Sequence, residues 1–191
     1  MKACESSSRP LPLCPVSKKS VPEHFRFCPS CGSEKLALRG GKCVECPDCS
    51  FTLYFNPTCS AGALIFDQQG KLLVVERANE PSKGKYGIPG GFTDPGERLE
   101  EVAVRETKEE TNLDIHSVKF FASFPNVYTY REVSYAVTDT YFLAKVDSFE
   151  GLEAEEGEVA GLHRVDPKEV PQDQWAFDSL RNAIAKYLAE Y

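Results

Sequence analysis

Three acids close one short stretch of this chain, and their types and spacing suit them to hold a metal. In "GGFTDPGERLEEVAVRETKEETNL", residues 90–113, seven carboxylates occur, and Glu106, Glu109 and Glu110 end the run. The pattern predicts a helix over residues 97–111. At about 100° per residue, Glu109 falls about 60° to one side of Glu106 and Glu110 about 40° to the other, so the three share a face. Leu99, Val102 and Ala103 lie on that same face and are expected to meet the core. Glu100, Glu101, Lys108 and Thr111 are expected to point to solvent, with Val104 an unexplained apolar residue among them. A solvated charge run is the plain alternative. Against it, like charges at these spacings repel by roughly 0.2–0.5 kcal/mol each. The last turn of a helix also disfavours negative charge, and an unpaired inward carboxylate is costly to desolvate. A hard divalent cation, Mg2+ or Mn2+, removes all three objections.

A second set of chemistry-bearing residues lies upstream. "FCPSCGS" and "ECPDCSF" place two CPxC pairs fourteen residues apart. Four thiolates in two tight turns make a closed tetrahedral site that suits structural zinc. A redox reading needs one such pair opening a helix beside a βαβ pattern, whereas here both pairs run into strand-like residues. Cys43, Cys46 and Cys49 form overlapping CxxC spacings, and the shared CPxC form favours Cys28, Cys31, Cys46 and Cys49 as ligands, with Cys43 spare. A segment this short has little core, so metal binding would supply its folding free energy.

The elements that must position these groups can be read more coarsely. Residues 1–24, rich in Ser, Pro and Lys, read as a flexible tail containing the free thiols Cys4 and Cys14, residues 25–55 as the zinc ribbon, and residues 56–191 as the main domain. "CSAGALIF" and "KLLVVER", joined by "DQQG", read as a β-hairpin. Further strands are expected at "VKFFASF", "VSYAVTDTYFLAKV" and "GLHRV". In "DQWAFDSLRNAIAKYLAEY" the stripe Phe177, Leu180, Ile184, Tyr187, Leu188 and Tyr191 predicts a helix docked on the core. The loop "GIPGGFTDPGERLEE" precedes the acidic helix, and Gly90 and Gly91 permit close approach of a carbonyl or a phosphate.

Over its 191 residues the chain is 41% hydrophobic and 27% charged, as in a globular protein. No run approaches the length of a membrane span, and "MKACESSSRPLPLCP" lacks the apolar core of a secretory signal, so a cytoplasmic, reducing location is expected. The net charge of −7 argues against nucleic acid as the main partner. It allows an anionic substrate only where a cation mediates the contact.

The acidic stretch resembles the signature of the Nudix hydrolases, GX5EX7REUXEEXGU, where U is bulky and aliphatic. Gly91, Glu97, Arg105, Glu106, Glu109, Glu110 and Leu113 match it, while Thr107 replaces an aliphatic residue and Asn112 a glycine. The cysteine module followed by "FTLYFNPTCSAGALIF" is similar to the branch containing bacterial NADH pyrophosphatases. That branch's SQPWPFPxS element is absent; "ASFPNVYTYREVSY" stands in its place. The resemblance implies an α/β (α+β) fold, an α/β/α sandwich with a mixed sheet, preceded by a small zinc ribbon. It implies Mg2+-dependent hydrolysis of the diphosphate linkage in a nucleoside diphosphate joined to another group, such as NADH or ADP-ribose.

Within that resemblance Glu106, Glu109, Glu110 and the Gly91 carbonyl would hold the metal, and Arg105 would pair with Glu97 to brace the loop. The general base would be a box glutamate or Glu158, in "EAEEGEVAG". Tyr128 and Tyr130 are candidates to stack on a base, or else plain packing residues. A homodimer is expected by analogy with that branch. The alternatives are a sanitising nucleoside triphosphate pyrophosphatase, an inactive nucleotide- or RNA-binding module, and a protein-interaction scaffold built on the ribbon.

Overall fold

The computed structural model describes residues 19–191; Cys4, Cys14 and most of the expected tail lie outside the described residues. Residues 19–24 are ordered where the sequence suggests a tail. β1 (Lys19–Ser20) runs parallel to the later strand pair Val133–Ser134 and leads into a 3-10 turn, Val21–His24. Ser20 and Glu23 close that turn: the Ser20 backbone N–H and hydroxyl both donate to the Glu23 carboxylate at 2.7 Å.

The ribbon is a three-stranded antiparallel sheet of β2 (Ala37–Arg39), β3 (Cys43–Glu45) and β4 (Thr52–Tyr54). The main sheet then begins with β5 (Thr58–Phe66), β6 (Leu72–Arg77), β7 (Tyr86–Gly87) and β8 (Gly90–Phe92). It continues after helix α1 (Leu99–Thr111) with β9 (Lys119–Tyr130), β10 (Val133–Lys145) and β11 (Val159–Val165), and α2 (Asp178–Glu190) ends the chain. The path through the sheet is β1-β10-β5-β6-β11, with β7 on β6, β8 on β5 and β9 on β10. β10 and β5 are parallel, whereas β9–β10, β6–β11 and β5–β8 are antiparallel, so the sheet is mixed.

The expected β5–β6 hairpin forms only at its turn. Asp67 Oδ1 accepts from the backbone N–H groups of Gln69 and Lys71 at 2.9 Å, but Phe66 and Leu72 are the sole ladder pair. The strands then diverge, because β5 is held by β8 and β10 while β6 is held by β7 and β11. This divergence opens the sheet at the end where the glycine loop enters.

Alternation along β5 assigns its two faces. Ala61, Ala63 and Ile65 pack with Val102 and Ala103 of α1, whereas Leu64 and Phe66 pack with Leu180, Ala183 and Ile184 of α2. The helices therefore cover opposite faces. Val104, unexplained from sequence, packs against the α1-side core. Thr111 corrects the helical projection: it is buried, and its hydroxyl donates to the Thr107 carbonyl at 2.6 Å. Within the α2 stripe Leu180 and Ile184 are buried and Phe177, Tyr187 and Leu188 partly so, but Tyr191, which caps the helix end, is exposed.

Candidate active site

Helix α1 starts at Leu99, two residues later than the sequence pattern suggests, so Glu97 lies in the preceding turn. There it receives Arg105 in a two-point clasp, Nε at 2.8 Å and Nη2 at 3.0 Å. Arg105 also donates Nη1 to Glu106 Oε1 at 2.8 Å and to Glu109 Oε2 at 2.9 Å, and Nη2 to the Phe92 carbonyl at 3.3 Å. One guanidinium thus ties the loop, the turn and the acidic face together. At the helix end Asn112 adopts the left-handed conformation, φ 59°, expected of the residue that replaces glycine. Thr107 satisfies its buried hydroxyl by donating to the Ala103 carbonyl at 2.6 Å.

Gly91 is required by contact. A Cβ there would stand 2.2 Å from Glu106 Oε1, so any side chain would displace the carboxylate. Glu110 is held from the same loop, accepting the Gly90 N–H at 3.1 Å. Burial, opposed by that hydrogen bond and reinforced by the charges of Glu106 and Glu158, pushes its pKa up to about 8. Burial also raises Glu106, against the pull of Arg105. A half-buried acid pair that is hard to ionise alone is the donor set expected of a divalent cation site. Glu109, by contrast, is exposed at the rim.

Glu158 reaches this cluster through the end of α1. The helix-terminal carbonyls of Glu110 and Thr111 accept the N–H groups of Glu155 and Glu153, at 3.2 and 3.1 Å, which fixes the loop just before β11. A cavity of about 390 Å³ opens beside it. Gly91, Glu106, Glu110, Arg105 and Glu158 line one end, and Tyr128 and Phe177 line the wall. Tyr130 is not among the lining residues: it is exposed, with the Arg131 guanidinium 5.3 Å from its ring centre. Sequence reasoning missed Arg77, whose guanidinium lies 5.1 Å from the Phe177 ring centre and faces the acidic end. A cation closing the apolar run "LLVV" was the available signal.

In the ribbon, the sulfurs of Cys28, Cys31, Cys46 and Cys49 all lie within 4.8 Å of one another, and Cys43 stands apart from the cluster. Cys28–Cys49 and Cys31–Cys46 each approach to 3.6 Å, close to the edge of about 3.8 Å that a tetrahedron with 2.3 Å zinc–sulfur bonds requires. The two turns are matched. The Gly32 and Ser50 N–H groups donate to the Cys28 and Cys46 carbonyls, each at 2.8 Å, and both residues have positive φ. Burial raises the Cys28 thiol, but the N–H groups of Cys31 and Ser30 outweigh it and bring it down to about 7. This donor set fits structural zinc.

The family model of the NUDIX domain matches residues 57–187. The chain belongs to that family. A NAD-capped RNA hydrolase NudC of Stutzerimonas stutzeri is 35% identical over 103 residues, covering 54% of this chain and 36% of its own length. An ADP-ribose pyrophosphatase of Methanocaldococcus jannaschii is 43% identical over 63 residues, covering 33% of this chain and 37% of its own. The chain thus spans little more than a third of these curated relatives. A NUDIX hydrolase from Nitrosomonas europaea superposes with a TM-score of 0.66 at 27% identity, covering 87% of this chain and 92% of that one. Among the described residues no helix is long and apolar enough to cross a membrane.

Proposed function

We propose that this protein hydrolyses the diphosphate linkage of a nucleoside diphosphate joined to another group, of the ADP-ribose type. The observation that carries the reading is the cavity itself: carboxylates and two arginines, Arg77 and Arg105, at one end, aromatic rings along the wall, and a volume of about 390 Å³ that suits one nucleotide. The names of the relatives, NAD-capped RNA hydrolase and ADP-ribose pyrophosphatase, describe substrates with that linkage.

Glu106, Glu110 and the Gly91 carbonyl, with Glu109 at the rim, would hold Mg2+ or Mn2+. When bound, the cation supplies the positive charge that lets an anionic diphosphate approach this acidic face and makes its phosphorus more electrophilic. Arg77, beside the same acidic end, adds a fixed charge and orients the phosphates. Arg105 and Glu97 position Glu106 and do not reach the reacting atoms. Glu158, exposed and beside the metal face, takes the proton from the attacking water as general base. Tyr128 and Phe177 offer apolar faces to the nucleoside.

The test is turnover of ADP-ribose, NADH, diadenosine polyphosphates and nucleoside triphosphates by purified protein with Mg2+. ADP-ribose is expected to be cleaved to AMP and ribose 5-phosphate, and Glu109→Gln and Glu110→Gln to lower that rate by two or more orders of magnitude. No turnover of any member of the panel overturns the reading.

A further inference from the structure

The inner part of the cavity holds a carboxylate to which the hydrolytic chemistry gives no task. Asp139 of β10 lines the cavity, and both of its oxygens are already oriented by hydroxyls. Ser60 Oγ of β5 donates to Oδ1 at 2.5 Å, and Ser179 Oγ of α2 donates to Oδ2 at 2.5 Å. Ser179 is itself buried and accepts from the Tyr141 hydroxyl at 2.9 Å. Every proton in this chain, from Tyr141 through Ser179 to Asp139, points toward the carboxylate. Each oxygen keeps a lone pair, and none of the four groups has a proton left to donate into the cavity.

Neighbouring strands place this acceptor relative to the metal face. Asp139 is in register with Ser60, and Ala61 with Gly91, so two strand spacings of about 4.8 Å separate β10 from β8. Asp139 lies on the α2 side and Glu106 on the α1 side, and both line the one cavity, so a single nucleotide can reach both. Tyr128 and Phe177, on the same cavity wall, supply apolar faces for a planar ring between the two ends.

We propose that Asp139 reads the exocyclic amine of the nucleobase, selecting adenine or cytosine over bases that carry a carbonyl at that position. An amine donates to the free lone pair of a carboxylate already held in place. A carbonyl oxygen there meets lone pair with lone pair, and the serine hydroxyls cannot turn to help without releasing Asp139. A site built to accept a hydrogen bond disfavours the analogue that lacks the donor, because the carboxylate then faces a second acceptor in place of a partner.

This proposal rests on the hydrolase reading but fails separately from it. The experiment compares ADP-ribose with its inosine counterpart, which differs at the base by a carbonyl in place of the amine and has the same ribose and diphosphate. Wild-type protein is expected to favour ADP-ribose in kcat/KM by roughly ten- to hundredfold, carried by KM. Asp139→Asn, whose amide can donate, is expected to shrink or invert that ratio. Binding of AMP and IMP by calorimetry without added Mg2+ reads the same preference independently of turnover. Equal use of the two substrates by wild type, or an unchanged ratio in a folded Asp139→Asn, overturns the assignment and leaves the hydrolase reading standing.

Discussion

Glu110 makes the metal reading quantitative. Its folded-state pKa, raised by burial to about 8 from an ordinary 4.5, means that the folded protein binds a proton more tightly than the unfolded chain. Stability from this group is therefore fully present below pH 4.5 and is lost as pH rises toward 8. At about 1.4 kcal/mol per pH unit the full loss by pH 8 would approach 5 kcal/mol. Partial solvent access to the half-buried carboxylate reduces this to roughly 2–3 kcal/mol. For a chain of this length that is on the order of 5–10 °C in Tm. Glu110→Gln removes the titration and keeps the shape. Without added Mg2+ and with zinc retained, the variant should therefore match wild type near pH 5 and exceed it near pH 8. Millimolar Mg2+ should close that gap by stabilising wild type alone, and the affinity of wild type for Mg2+ should climb with pH up to about 8 and then level. The assay is thermal unfolding by circular dichroism across pH, with and without Mg2+. Parallel pH profiles for the two proteins, or equal stabilisation of both by Mg2+, would refute the argument.

Other outcomes follow from single contacts. Purified protein should carry about one zinc per chain, and Cys28→Ser should lose it and expose residues 25–55 to proteolysis while the cavity-bearing domain stays folded; elemental analysis and limited digestion read both. Gly91→Ala should abolish turnover with little change in unfolding temperature, because a Cβ placed 2.2 Å from Glu106 Oε1 must push that carboxylate aside. Tyr128→Ala should raise KM about three- to tenfold, whereas Tyr130→Ala, outside the cavity, should leave KM unchanged. Thr107→Val should shift stability by less than about 1 kcal/mol in denaturant titration, since the hydroxyl only adds a second bond to a helix carbonyl.

The parts legible in the sequence share one property: their partners lie close along the chain. The acidic face of α1 follows from helical period, Asn112 from the geometry of helix ends, and the CPxC turns from the reach of two thiolates across two residues. The four cysteines could be separated from Cys43 by their local pattern alone. Where a side chain's surroundings depend on a distant segment, the same reasoning went astray. Thr111 projects away from the acidic face, yet it is buried and the loop before β11 bonds its carbonyl. Val104 finds core on a side that the helical wheel assigns to water. Ser20 looks like tail until a strand more than a hundred residues later pairs with it.

By itself, then, the sequence determined the chemistry: a cluster of carboxylates on one helix, a glycine loop against it, and four thiols in two turns. Residue type and short spacing settle those, because a helix and a tight turn have fixed geometry. Only the tertiary structure decided what that chemistry faces. It drew Glu158 to the acidic helix by capping the helix end, set Tyr128 in the cavity and Tyr130 outside it, and brought Ser60, Asp139 and Ser179 from two strands and a helix into one oriented chain. No periodicity encodes such meetings, since they arise from strand order and from which face each helix covers.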